Sequence, residues 1–221
     1  MRTRRSLKQN HLLAALPAAE FMRLSPHLER VPSPLGAVID ESGGEQDYVY
    51  FPASGIVSLL YVMNEGSAAE IAVVGKRGHG GNRALHGRRD HAEPAVVQSA
   101  GSAYRLEAAV IKAEFARGGA LQRLLLRYTQ ALITQMTQTA VCNRHHMLEQ
   151  QLCRWLLLSL DRLPANQPVM TQQLIANMLG VRREGVTEAA GRLQADGLIN
   201  YRRDGINVLD RAKLEERVCE C

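Results

Sequence analysis

Residues 170–199, MTQQLIANMLGVRREGVTEAAGRLQADGLI, read as two short helices joined by a tight turn and leading toward a strand. Thr171 is a natural N-cap, because its hydroxyl can accept from the free amides of a first helical turn. Leu174, Ile175, Met178 and Leu179 then recur at helical spacing and give one apolar face. Gly180 stands where a left-handed residue must end that helix, a conformation that costs glycine little. Val181 follows as a small apolar plug, and a second helix starts near Arg182. At about 100° per residue, Arg183, Glu184, Thr187, Glu188 and Gln194 share a polar arc. Val186, Ala189, Ala190 and Leu193 lie on the opposite side and can pack on the first helix. A helix with a dry back, a polar front and arginines at its N-terminal end suits the DNA major groove. Arginine can bond a guanine edge bidentately there, and glutamate can accept from a cytosine amine. Periodicity alone would fit any helical hairpin; the ordered set of cap, glycine turn and Arg-Arg-Glu start is what points to nucleic acid.

The segment that follows supports the same reading. Gly197-Leu198-Ile199-Asn200-Tyr201 leads into Arg202-Arg203-Asp204-Gly205 and then Ile206-Asn207-Val208-Leu209. Asp-Gly between two apolar runs is a hairpin signal. Arg202 and Arg203 would ride beside its tip toward phosphates, although charged residues at such a tip are also often merely solvated.

From Thr171 to Val208 the chain resembles the winged helix-turn-helix of the Crp/Fnr family of bacterial transcription regulators. In that family the turn carries glycine, the recognition helix opens with an Arg-Glu or similar pair, and a short hairpin follows. Arg183 and Glu184 match the base-reading pair. Glu188 departs from the pattern, because some members carry a second base-reading arginine there, and the operator is left open by it.

The chain has 221 residues, room for two modest domains. Its net charge of +5 is compatible with a nucleic-acid partner but says little alone. Acids and bases balance in 145–221, and the basic excess lies mainly in the first ten residues and in 76–89. The local pattern therefore decides, not the overall charge. The basic start MRTRRSLKQN precedes only a short, interrupted apolar run at Leu12 to Leu16, which is no signal-peptide core. Nothing reaches membrane-spanning length, so a cytoplasmic protein without a membrane partner is expected.

Residues 6–30 read as short helices broken by Pro17 and Pro26. Beyond Val31 the texture turns to strands: Val38-Ile39, Tyr48-Val49-Tyr50-Phe51, Ile56 to Met63, Ala69 to Val74, and Val96 to Leu106, separated by turn residues. Short strands at this spacing predict a small antiparallel roll or barrel. The resemblance makes this a cyclic-nucleotide-binding-like sensory roll, and it also implies a test of the ligand. Members that bind cyclic nucleotide use a Gly-Glu followed some ten residues later by an arginine that neutralises the phosphate. The best placement here is Gly81-Asn82-Arg83 and then Glu93-Pro94-Ala95. Asn82 replaces the ribose-binding acid, and Glu93 would repel a phosphate, so cyclic nucleotide is disfavoured and the effector is unknown. Arg83, Arg88 and Arg89 could substitute or form a plain basic loop. His79, His86, His91 and Glu93 invite a cupin-like metal site, but their intervals do not put two imidazoles on one strand face.

Residues 118–144 read as a long helix. Leu121, Leu125, Tyr128, Leu132 and Met136 recur at 3–4 spacing and are expected to form a dimer seam, with ordinary core as the alternative. Two recognition helices would then reach half-sites one turn of DNA apart. Cys142, Cys153, Cys219 and Cys221 imply no disulfide in a cytoplasmic chain. Fnr-like members hold an iron–sulfur cluster on cysteines near the N-terminus, and no cysteine precedes Cys142. Cys142 with His145 and His146, or Cys219 with Cys221, lacks Cys-x-x-Cys spacing. No metal or cofactor is expected, and a redox role for the cysteines is undetermined.

The expectation is an α+β chain: a roll with N-terminal helices over 1–117, a dimerisation helix over 118–146, and a winged helix-turn-helix over 147–221. Its function is that of a homodimeric, sequence-specific regulator of a palindromic operator, with double-stranded DNA, a second copy, RNA polymerase and an unknown small-molecule effector as partners. Thr171, Gln172, Arg202 and Arg203 are expected on phosphates, with Arg182 opening the helix from which Arg183, Glu184, Thr187 and Glu188 read bases. No nucleophile–base set, phosphate-binding glycine loop or carboxylate pair points to an enzyme. A cupin-like metalloenzyme and a protein-interaction module are the alternatives.

Overall fold

The computed structural model describes residues 7–40, 47–80, 94–163, 171–202 and 205–221. These residues form two compact units, divided at Leu59/Leu60, Val73/Val74 and Ile133/Thr134.

The first unit opens with α1 (His11–Ala14) and α2 (Ala18–Leu24), then a 3₁₀ turn at Ser25–His27. Asn10 caps α1: its side-chain oxygen accepts from Leu12 N at 3.0 Å and Leu13 N at 3.2 Å. Its amide donates to Pro52 O at 3.0 Å and Gly78 O at 2.8 Å, so this buried side chain ties three segments together.

Strands β1 (Glu29–Ser33), β2 (Val38–Asp40), β3 (Tyr48–Val62), β4 (Ala68–Val74) and β5 (Ala95–Glu107) make one sheet in the order β1-β5-β3-β4, with β2 also on β5. The pairs of β5 with β1, β2 and β3 are antiparallel. The sequence suggests two strands at 48–51 and 56–63; the structure has a single long one. Two glycines make that continuity possible. The register of β3 on β5 shifts between Pro52 and Ile56, a bulge that accommodates a proline inside the sheet. Gly55 lies there at φ 79°, and a Cβ on it would stand 2.4 Å from Ser99 O. A Cβ on Gly101 opposite would stand 2.3 Å from Ser54 O. No side chain fits between the two backbones.

Beyond the sheet come α3 (Ala108–Ala116), which the sequence reading leaves unassigned, and the long α4 (Ala120–His145). The start of α4 is capped from a distance. Ala120 N donates to Glu20 Oε1 at 2.9 Å and Leu121 N to Glu20 Oε2 at 2.7 Å, so an α2 carboxylate meets the positive end of α4. Glu20→Ala should lower unfolding stability by about 1 kcal/mol, and Glu20→Gln should keep part of it; a urea midpoint unmoved by the alanine would refute the cap.

The residues expected to form a dimer seam are largely covered within the chain. Leu121, Leu125 and Leu132 are buried within one protomer, the first two in a core cluster with Phe21, Leu24, Phe51 and Ile111. The Tyr128 hydroxyl donates to His79 O at 3.2 Å, and the two rings lie 4.7 Å apart. Met136 is half-buried. A 3–4 apolar period fixes that a face is covered, not what covers it. His79 itself is buried between Phe51 and Tyr128. Gly81, Asn82, Arg83, His86, Arg88, Arg89, His91 and Glu93 lie outside the described residues.

The second unit is built on α5 (Leu148–Leu160), which buries Leu152, Cys153, Trp155, Leu156 and Leu160. Trp155 Nε1 donates to the buried Glu70 carboxylate at 2.9 Å, which joins the start of β4 to this helix. Burial pushes the Cys153 thiol up to about 12, leaving it a protonated core residue. Helices α6 (Gln172–Leu179) and α7 (Arg183–Ala195), the ribbon β6 (Ile199–Arg202) and β7 (Gly205–Val208), and α8 (Arg211–Arg217) complete it. Helix α8 is not foreseen in the sequence, yet its start carries a readable signal: the Asp210 carboxylate caps Lys213 N at 3.0 Å.

Candidate nucleic-acid interface

Helices α6 and α7 form as the cap, the glycine and the apolar spacing predict. Thr171 Oγ1 accepts from Leu174 N at 3.2 Å. Gly180 adopts φ 66°, ψ 33°, and its N–H and that of Val181 close on carbonyls of the last turn. Ile175, Ala176, Met178 and Leu179 face the core, with Leu174 only half-buried. On α7, Val186, Ala189, Ala190 and Leu193 are buried together, and this dry face packs the helix against α5 and α6. The polar front is left in solvent: Arg182, Arg183, Glu184, Thr187 and Glu188 are all exposed.

That front is partly preset. Arg183 Nε donates to Gln172 Oε1 at 3.2 Å, linking the start of α7 to that of α6. Thr187 Oγ1 donates to Arg183 O at 3.0 Å, within its own helix. Glu188 pairs with Arg192 at 2.7 Å, one turn on. An exposed i,i+4 pair contributes only about 0.3–0.5 kcal/mol, so the Glu188 carboxylate is held only weakly. Gln194, which shares the polar arc, has a structural role. Its Oε1 accepts from Tyr201 N at 2.6 Å and ties the end of α7 to β6. The ribbon is antiparallel, with Arg202 opposite Gly205. The tip residues Arg203 and Asp204 lie outside the described residues.

Residues 150–217 match the model described as the Crp-like helix-turn-helix domain. Solved structures with the same architecture include a Eubacterium rectale protein described as a transcriptional regulator of the Crp/Fnr family, 18% identical, with a TM-score of 0.73 over 95% of this chain and 98% of that one. FixK2 from Bradyrhizobium japonicum is 17% identical, with a TM-score of 0.74 over 88% of this chain and 98% of its own. A Crp/Fnr-family regulator from Thermus thermophilus is 23% identical, with a TM-score of 0.69 over 86% and 97% of the two chains. The chain has the Crp/Fnr regulator fold. No curated protein matches the sequence itself. The Crp-like match over residues 150–217 supports a DNA-binding regulatory role. Among the described residues, no helix is long and apolar enough to cross a membrane.

Glu149 gives no signal in the sequence, yet it organises this Crp-like domain. At the start of α5 it accepts from Arg192 Nε at 2.8 Å and from Arg217 Nε at 2.9 Å, and Arg217 also pairs with Asp196. One half-buried carboxylate thus fastens α7 and α8 to α5. Burial opposes the charge on Glu149, but the two guanidinium bonds outweigh it and hold its carboxyl below the ordinary value of 4.5. A carboxylate depressed on folding contributes stability above its unfolded pKa, and that contribution is lost as pH falls through the folded one. Glu149→Gln should therefore cost about 1 kcal/mol at neutral pH. The gap between variant and parent should close as pH falls below 4.5. A gap that persists through about pH 3 in paired unfolding curves would exclude this origin.

Proposed function

We propose that the protein is a homodimeric, sequence-specific transcription regulator that reads a palindromic operator through α7. The observation that carries this is the segregation of α7: four buried apolar residues on one side, and Arg183, Glu184, Thr187 and Glu188 turned outward on the other. Arg183 and Glu184 read base edges from the N-terminal turn, where a helix enters the major groove. Thr187 and Glu188, one turn further, read the adjoining position. Thr171, Gln172 and Arg182 at the helix starts, with Arg202 and Arg203 on the wing, fix the register on phosphates.

A dimer seam on the outer face of α4 fits this reading. Leu126 is 50% exposed, Ile133 51% and Val141 46%. They follow one another at seven- and eight-residue intervals, close to a heptad line, and replace the Leu121, Leu125 and Leu132 line that the protomer core already covers. The β-roll serves an effector or a partner protein, RNA polymerase among them. It does not take a cyclic nucleotide, because Asn82 stands for the ribose acid and Glu93 for the phosphate cation in the sequence.

Selection of duplexes from a random pool tests the reading, with and without cyclic nucleotide. The expected product is a two-fold symmetric consensus with half-site centres one helical turn apart, unaffected by the nucleotide. Recovery of no preferred sequence at low salt, where phosphate contacts are strongest, would refute it.

A further inference from the structure

In the sequence, Cys142 with His146 and Cys219 with Cys221 are two ordinary pairs, 73 residues apart between His146 and Cys219. Folding brings them together. Cys142 and His146 are one turn apart at the end of α4, with His146 N bonded to Cys142 O at 3.0 Å. Cys219 and Cys221 alternate along the extended segment after α8, so both can point to the same side. The three sulfurs and one imidazole nitrogen lie within 4.8 Å of one another. We propose that these four residues form a tetrahedral zinc site that fastens the segment after α8 to the end of α4.

The geometry supports a single ion. Zinc bonds of about 2.3 Å to sulfur and about 2.0–2.1 Å to nitrogen set tetrahedral edges of about 3.7 Å between sulfurs and about 3.6 Å between sulfur and nitrogen. The Cys142 and Cys219 sulfurs are 3.6 Å apart, and Cys221 Sγ is 3.6 Å from His146 Nδ1. Edges as wide as 4.8 Å would need to close by about 1.1–1.2 Å, within the reach of side-chain rotation. An iron–sulfur cluster distributes its ligands over several irons and needs a wider mouth.

The imidazole is already oriented to act as a ligand. His146 Nε2 lies 3.3 Å from the Glu220 carboxylate, a partner that favours the proton on Nε2 and so frees the Nδ1 lone pair on the side of the sulfurs. Carboxylate–imidazole–metal chains of this kind recur around zinc because the carboxylate fixes the tautomer. Charge is also provided for. Three thiolates, a neutral imidazole and a dication sum to −1; burial raises the Cys142 and Cys221 thiols in the metal-free chain, and the buried Arg154 guanidinium offsets part of that. Cys142 and Cys219 are buried, while Cys221 and His146 are half-buried, so the site is closed to substrate but open to loading. Four protein ligands leave no open position, which makes the ion structural. Binding releases the thiol protons: each Cys–SH loses H⁺ as its sulfur bonds the metal, with no change of oxidation state.

The full-length protein, purified under reducing conditions, should contain about one zinc per chain by elemental analysis. Cobalt(II) in its place should show tetrahedral ligand-field bands with thiolate-to-metal charge transfer. Chelation should lower the melting temperature, and added zinc should restore it. Cys221→Ser, at the least buried cysteine, should fold yet lose the charge-transfer intensity of one thiolate. Glu220→Ala should keep binding but weaken zinc affinity by roughly 10–100-fold in competition with a chromophoric chelator. The site would be overturned by no cobalt charge transfer in folded, reduced protein, by zinc affinity unchanged in both variants, or by iron with sulfide in place of zinc. A Cys142–Cys219 disulfide in metal-free protein that chelation leaves equally stable would overturn it as well.

Discussion

Arg183→Ala should lose about 1–3 kcal/mol of affinity for a selected operator, roughly 5- to 150-fold, and the loss should be confined to sequences carrying the base that Arg183 reads. Arg183 is exposed at the first turn of α7, and its side chain holds a 3.2 Å contact to the Gln172 amide oxygen. A solvent-facing bond of that kind is easily exchanged for a base edge, so the free protein holds the guanidinium near its working position at little cost. Lysine would not substitute well, because a point charge cannot reproduce the two-pronged geometry. Arg202→Ala supplies the contrast. A wing residue on phosphate should weaken every duplex alike and flatten the salt dependence by about one unit of slope. Binding titrations against the selected site and its single-base variants separate the two. Should Arg183→Ala retain the parent's base preference, α7 would not be the reading helix in the manner proposed.

The helix-turn-helix is legible in the sequence because its signals are local. Thr171, Gly180 and the buried quartet of α7 each act within one or two helical turns, and local chemistry survives folding unchanged. Elements decided by distant partners are not legible. The Leu121-Leu125-Leu132 line shows that α4 has a covered face, but only the folded roll reveals that its first two leucines join the chain's own core. Continuity of β3 through Pro52 depends on Gly55 and Gly101 meeting across 46 residues, which no strand propensity expresses. Glu20 reaching the amides of α4, and Glu149 collecting two arginines, are likewise contacts between residues far apart in sequence. The four-residue Cys/His cluster is the extreme case: helical i,i+4 and extended i,i+2 spacing each place two ligands on one side, but only folding joins the halves.

Gly180→Val should remove about 2–4 kcal/mol from the second unit, and with it most operator binding at elevated temperature. Two effects add. Gly180 sits at φ 66°, where a β-branched side chain is strained. Its Cβ would also stand 3.1 Å from the Ala69 Cβ, closer than ordinary packing, on a segment held by the Glu70–Trp155 bond. The turn would then open, and α7 would lose its angle to α6. Because no base-contacting residue changes, whatever binding survives should keep the parent's sequence preference, the reverse of Arg183→Ala. Gly191→Ala is the control. Gly191 lies in α7, its Cβ would meet nothing within 4 Å, and its backbone is helical. Alanine there should stabilise by roughly 0.5–1 kcal/mol. Equal losses for both variants in urea unfolding would mean that the left-handed turn is not what sets the helix-turn-helix angle, since of the two glycines only Gly180 occupies that conformation.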